Sequence, residues 1–421
     1  MLAYKLIALL SKSSLIRLLY LNKALFLRIM KADSGSHPHL YKLGMKMYKI
    51  HPKLWDYGME VISIPNRLQR KTKGLGPIQT IDMELSVLCN LRCSFCWWWG
   101  ENGIAFKLYK ERDPLVTQEL STQEIFNFID QVAPSKPSFY LSGGEPFIRK
   151  DTVDIIEYIA KKGMSVITNN NGTVLTDDKL QRLAKIKALT INFSIDGTRD
   201  VHNKIRGMGM YEKTTSTIKK LLEYRGNTLF PAIKTNTTFS PWLLGHMDEL
   251  IRELQDNVGV DAVRMQHLWF TDKEHAESHK AVLKDMLGHE NDTGVDGHII
   301  TRPEPDYAEK LYAEIDKVES TRYKKPVFIH PKMNLETMKK YYGDLNFSRT
   351  SKCNVAMDHV VIKADGDVMF CPDSWIQYKI GSIRKDHIDT IWRGERAQKF
   401  REALDKVGLF PACARCCAIN G

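Results

Sequence analysis

Residues 89 to 96 read Cys89-Asn90-Leu91-Arg92-Cys93-Ser94-Phe95-Cys96. The three cysteines follow shortly behind residues 78–85, a strand candidate. Eight cysteines in 421 residues are too few for a disulfide-built secreted scaffold, and no N-terminal stretch has the uninterrupted apolar run and small-residue cleavage site of a signal peptide. The expected compartment is therefore the reducing cytoplasm, where clustered cysteines act as metal ligands or catalysts. Three thiolates on one short loop suit three irons of a 4Fe–4S cluster and leave the fourth iron without a protein ligand. A zinc site would want a fourth ligand at matching spacing.

Outward from this loop, strand-like and helix-like runs alternate. Strands are expected at 78–85, 138–141, 164–168, 189–195, 232–238 and 262–267. Helices are expected at 122–132, 152–162, 177–186, 211–224 and 244–254. The first of these starts with Ser121 or Thr122 as its cap and Glu124 in its first turn. Six strands with helices between them predict a parallel α/β fold. Residues 271–305 are polar and look like an insertion, and 307–342 look helical in part. From 348 onward the texture changes to short strands, glycine and cysteine. The expected domains are a helical leader at 1–75, a core at 76–305, a helical linker at 306–347 and a small α+β domain at 348–421.

Hydrophobic residues make up 43% and charged residues 26%, which excludes a mostly disordered chain, a collagen and a polytopic membrane protein. The net charge is +11, and residues 1–73 alone carry 14 Lys and Arg against three acids, so the rest is neutral as a body. Within that block, 12 of the 16 residues at 15–30 are hydrophobic, but Arg17, Lys23 and Arg28 interrupt them. No charge-free run approaches the roughly 18–20 residues that span a bilayer. A helix lying in a membrane interface fits, with its cations toward anionic headgroups. The alternative is a helix packed on the body with snorkelling Lys and Arg. Nucleic acid is not an expected partner, because no nucleic-acid motif accompanies the charge. The expected location is thus peripheral, at the inner face of the membrane.

Four further segments stand at strand ends, in order behind the cysteine loop. They are Gly143-Gly144-Glu145-Pro146, Ser194-Ile195-Asp196-Gly197, Arg206 before Gly207, and Met265-Gln266 with Leu268. Singly, each is an ordinary turn or a surface charge. Together with the cysteine loop and the aromatic Phe95, they resemble the radical SAM superfamily over most of residues 78–270. The resemblance implies a partial (β/α)6 TIM-like barrel with its site at the C-terminal strand ends. It implies S-adenosylmethionine bound by its amino and carboxylate groups to the open iron, and cleavage to a 5′-deoxyadenosyl radical that abstracts hydrogen from a substrate. Gly143, Gly144 and Glu145 would meet the methionyl amino group, Ser194 and Asp196 the ribose, Arg206 the carboxylate, and Met265 and Gln266 the adenine. A flavodoxin- or ferredoxin-type protein would supply the electron. No catalytic acid, base or radical donor is singled out.

Cys353, Cys371, Cys413, Cys416 and Cys417 form a second set, with Asp365-Gly366-Asp367 as a hairpin turn inside it. This resembles the Twitch extension, the shortened relative of the SPASM domain. It implies one auxiliary 4Fe–4S cluster on Cys353, Cys371, Cys413 and Cys416, with Cys417 as a spare or a replacement for Cys416. Zinc on the same thiolates, or no metal, are the alternatives. Trp97-Trp98-Trp99 directly follow Cys96 and would either shield a cluster and shape a substrate wall or pack under the loop. The long charged stretch 101–119 is expected to form part of a lid. Two substrates are in view: a lipid or lipid-linked or surface glycan at a membrane, favoured by the basic leader, and a ribosomally made peptide.

Overall fold

Strand and helix alternate from Thr80 onward, as the periodicity predicts. The computed structural model describes residues 75–101, 103–112, 118–290, 293–300, 302–372 and 375–416. The expected leader (all but residue 75), Cys417 and parts of the expected lid lie outside the described residues. Residues from Pro77 onward form one compact unit.

The strands are β1 (Thr80–Ser86), β2 (Ser138–Gly143), β3 (Val166–Asn170), β4 (Leu189–Ser194), β5 (Ala232–Thr238), β6 (Ala262–Gln266), β7 (Val327–His330), β8 (His359–Ile362), β9 (Asp367–Met369) and β10 (Gly381–Ser382). They form one sheet in the order β10-β9-β8-β1-β2-β3-β4-β5-β6-β7. All pairs from β8–β1 through β6–β7 are parallel; only β8–β9 and β9–β10 are antiparallel.

The two faces of the sheet differ because side chains alternate along each strand. One face carries Ile81, Met83, Leu85, Phe139, Leu141, Ile191 and Val263, all fully buried. Each is worth about 1.5–3 kcal/mol of burial. The apolar sides of the connecting helices are buried likewise. Helix α2 (Thr122–Val132; α1 is Ile104–Lys110) buries Ile125, Phe128 and Ile129, and α3 (Thr152–Lys161) buries Ile155, Ile156 and Ile159. The opposite sheet face is polar. Cross-strand register lines up Glu84 with Ser142, Asn169 with Asn192 and Lys234, Ser194 with Asn236 and Arg264, and Gln266 with His330.

Ser121 caps α2 in a full capping box. Its backbone N–H donates to Glu124 at 2.8 Å while the Ser121 hydroxyl oxygen accepts from the Glu124 N–H. The Asp365-Gly366 turn closes the β8–β9 hairpin, with Gly366 at φ 90°, a conformation that favours glycine.

Two features differ from the sequence reading. The segment expected as a helical linker contains β7, a four-residue strand too short to show alternation. The first strand of the expected C-terminal domain, β8, pairs parallel with β1 and so extends the core sheet. Pairing across about 280 residues leaves no local trace. The expected insertion holds a helix, Lys273–Leu287, capped by Asp272, and a 3-10 turn, Gly294–His298.

Candidate metal centres

The cysteine loop leaves the C-terminal end of β1 and folds back on itself. The Cys96 N–H donates to the Cys93 carbonyl at 3.1 Å, and the Gly100 N–H donates to the Cys96 carbonyl at 3.0 Å. A Cβ at Gly100 would sit 2.4 Å from that Cys96 oxygen, so only glycine fits there. Backbone N–H groups also point at sulfur: Leu91 to Cys89 Sγ at 3.4 Å and Trp99 to Cys96 Sγ at 3.2 Å. Burial pushes the Cys89 thiol up to about 12 and the Cys93 thiol to about 11, and the sulfurs raise one another further. Thiols raised in this way, as Cys89 and Cys93 are, need positive charge beside them to ionise, and iron supplies that charge. The donor set therefore fits an iron–sulfur cluster. Phe95 packs beside Leu91, Cys93 and Ile205.

The Gly143-Gly144 turn lies against the entry to this loop. The Gly144 N–H donates to the Ser86 carbonyl at 2.8 Å and the Glu145 N–H to the Leu88 carbonyl at 2.7 Å. A Cβ at Gly144 would meet the Leu88 oxygen at 2.1 Å. The close approach that these glycines permit is thus to the chain's own backbone. Glu145 is buried, and its carboxylate accepts from the Phe147 N–H at 3.0 Å and the Asn171 N–H at 2.7 Å. Burial, the largest influence, raises its pKa to about 7.

Asn171 was not visible as a site residue. Its amide donates to the Asn90 side chain at 3.0 Å, and its side-chain oxygen accepts from the Thr173 hydroxyl at 2.6 Å, which in turn accepts from the Asn90 amide at 2.8 Å. This three-residue network fastens the cysteine loop to the end of β3. Asn90 and Asn171 are 81 positions apart, and one polar residue after a strand carries no signal by itself.

On the other side, helix Arg199–Arg206 holds the loop. The Ser94 N–H donates to the Ile205 carbonyl at 3.0 Å, and Arg206 Nε donates to Asp196 Oδ2 at 2.5 Å. Asp196 Oδ1 also accepts from the Thr238 N–H at 3.1 Å. Asp196 and Arg206, expected as separate ligand contacts, thus hold each other; Arg206 keeps two terminal nitrogens outside that bond, and its charge favours the Cys93 thiolate. His202 accepts from the Asp196 N–H at 3.2 Å, and burial lowers it to about 4, so it stays neutral. Ser194 and Gln266 lie on the polar sheet face. Met265 corrects the expectation for the adenine: it is wholly buried on the apolar face, because adjacent strand residues point to opposite sides.

The second set of cysteines is gathered from distant chain. Cys353, Cys371, Cys413 and Cys416 line one cavity, whose walls include Phe370, Trp375, Ile376, Phe400 and Leu404. None of the seven described cysteines is in a disulfide. His279 braces this cavity: its Nδ1 accepts from the Ala412 N–H at 3.2 Å, so its Nε2 carries the proton and donates to the Trp375 carbonyl at 3.0 Å.

The radical SAM superfamily profile matches residues 83–258, and the profile of the SPASM iron–sulfur cluster-binding domain matches 353–417. The chain is a radical SAM enzyme. Its relatives include AdoMet-dependent heme synthase of Methanosarcina barkeri, 27% identical, with the match covering 80% of this chain and 87% of the relative. Mycofactocin maturase MftC of Mycobacterium tuberculosis is 29% identical over 38% of each chain. The crystal structure of Streptococcus suis SuiB bound to S-adenosylmethionine superposes with a TM-score of 0.54 at 15% identity, covering 86% of this chain and 78% of that one, and shares the fold. As a radical SAM enzyme with a SPASM domain, the protein uses S-adenosylmethionine, a 4Fe–4S cluster and an auxiliary iron–sulfur cluster. Among the described residues no helix is long and apolar enough to cross a membrane.

Proposed function

We propose that Cys89, Cys93 and Cys96 hold the 4Fe–4S cluster that takes S-adenosylmethionine, and that Cys353, Cys371, Cys413 and Cys416 hold one auxiliary 4Fe–4S cluster. The observation that carries this reading is the cavity on which those four cysteines converge. When bound, the first cluster supplies the electron that cleaves the sulfonium to give the 5′-deoxyadenosyl radical. The chain's own groups do the rest. Arg206, held by Asp196, offers its terminal nitrogens to the methionyl carboxylate. Glu145 places a buried carboxylate between the first glycine turn and Asn171, where the ammonium is expected. The polar sheet face, with Arg264, Lys234 and Gln266, receives the hydrophilic part of the substrate. Iron and sulfide of about eight each per chain support two clusters; a content near four removes the auxiliary one.

The substrate in this proposal is a lipid or a lipid-linked or surface glycan, met at the inner face of the membrane. Its support is the basic, apolar block at 1–73. The test is anaerobic flotation with anionic and neutral liposomes, comparing the full chain with one starting near Gly74. Flotation of the full chain alone, on anionic lipid, supports the reading. If neither floats, the second reading takes its place: a ribosomally made peptide, favoured by the kinship with a mycofactocin maturase over part of the chain.

A further inference from the structure

The tryptophan triplet behind Cys96 has a partner that the sequence does not show. Trp97 stacks on His298, ring centroids 4.9 Å apart and planes 28° apart. His298 stacks in turn on Trp375, centroids 3.9 Å and planes 17° apart. Trp97 is one peptide bond from Cys96, and Trp375 lines the cavity shared by Cys353, Cys371, Cys413 and Cys416. Three π-systems in face contact thus run from one cysteine site to the other. At 3.9 Å no substrate group fits between the rings of His298 and Trp375, so these rings do not form a ligand sandwich.

Several contacts hold the stack in place. The 3-10 turn that carries His298 is seated directly on Trp97: a Cβ at Gly297 would lie 2.6 Å from the Trp97 carbonyl oxygen and 2.8 Å from Ile104 Cδ1. The Thr271 N–H donates to the His298 carbonyl at 2.8 Å. His279 fixes the Trp375 backbone to the turn bearing Cys413. His298 and Trp375 are buried and Trp97 is partly buried, so the stack is shielded from water from its middle to the C-terminal site.

We propose that the Trp97–His298–Trp375 stack is the electron path between the two cysteine sites. This rests on the two-cluster reading above. The stack conducts one electron per event from a group reduced at the C-terminal cysteines to an oxidised group at the loop cysteines. A one-electron reductant of the ferredoxin or flavodoxin class supplies that electron. No bond forms or breaks, and no ring is itself oxidised.

The test uses the full-length, reconstituted enzyme. Iron and sulfide of about eight each, with two distinguishable reduced EPR signals, come first; a wild-type content near four overturns the two-cluster reading itself. One electron is then delivered anaerobically by flash photoreduction with a deazaflavin, and freeze-quench EPR follows its redistribution between the two signals. His298→Leu is expected to slow redistribution roughly tenfold or more, with iron content and both midpoint potentials unchanged, while His298→Phe restores the rate. Equal rates in wild type and a fully loaded His298→Leu overturn the proposal and leave the stack as packing. Should that variant lose iron, Trp97→Leu against Trp97→Phe puts the same question from the other end, with the same two outcomes.

Discussion

The two cysteine sites are built in opposite ways. The loop site is local: three cysteines within residues 89–96 share one turn, and charged and polar groups stand beside it together with the apolar Leu91, Phe95 and Ile205. Arg206, Asp196, Glu145 and Asn171 all bear on it. The C-terminal site is assembled from residues 353 to 416, and its wall is aromatic and aliphatic. A site that must take a ligand with an ammonium and a carboxylate needs polar groups held ready beside the metal. A site that takes no further ligand is served by an apolar wall, which keeps water away and leaves the thiolates as the only donors. On the two-cluster reading proposed above, the charged groups beside the metal, more than the cysteine count, separate the two roles.

Cys93→Ala breaks the comparison most severely. It removes the buried member of the loop triad, so reductive formation of 5′-deoxyadenosine should be abolished, measured by chromatography under dithionite. Retained product would sink the loop assignment. Cys413→Ala is the matching change on the other side: iron should fall by about half while the loop cluster's EPR signal persists. Loss of both signals would show that the two sites fold as one.

Lys363→Met probes what joins them. Lys363 and Glu84 form a buried ion pair between β1 and the hairpin turn that follows β8. Removing the cation leaves a buried, unpaired carboxylate, and denaturant unfolding should show a loss of about 3–5 kcal/mol. An unchanged midpoint would mean that water reaches Glu84. Arg206→Ala is smaller in effect and specific to the loop site. Calorimetry should find S-adenosylmethionine binding weaker by about 1.5–3 kcal/mol; unchanged affinity would give the carboxylate to another residue.

How much of this the sequence revealed follows the same division. The loop cysteines, the helix cap at Ser121, the hairpin turn at Gly366 and the strand ends at Glu145 and Ser194 are local patterns that stand where they were placed, whereas Arg206 closes a helix. What stayed hidden depends on pairing at a distance. The union of β8 with β1 is fixed by register between strands far apart. So are the Asn90–Asn171–Thr173 clamp and the meeting of Trp97 with His298 and Trp375. Met265 shows a different failure. It stands near the end of β6 but on the buried apolar face, because a one-residue step along a strand reverses the side chain.

The smallest prediction lies on the seam between the two regions. Glu124, in the first turn of α2, accepts from Ser121 and also from Arg384 Nε at 2.8 Å, so the cap of a core helix is tied to the C-terminal segment. Ser121's N–H, first, and then Arg384 hold its pKa near 2, below the ordinary 4.5. A carboxylate depressed in this way stabilises the fold above about pH 4.5, and that contribution is lost as pH falls from 4.5 toward 2. The pair is partly exposed, with side chains 30% and 39% accessible, so the Arg384 bond itself is worth only about 0.2–1 kcal/mol. Ser121→Ala should cost about 1 kcal/mol at neutral pH through loss of the cap. Glu124→Gln should flatten the acid limb of the stability curve between pH 4.5 and 2. If Arg384→Gln reproduces most of that flattening, the bond across the seam sets the acid response. If Arg384→Gln leaves the acid limb as in the wild type, the Ser121 N–H, which Ser121→Ala retains, sets it.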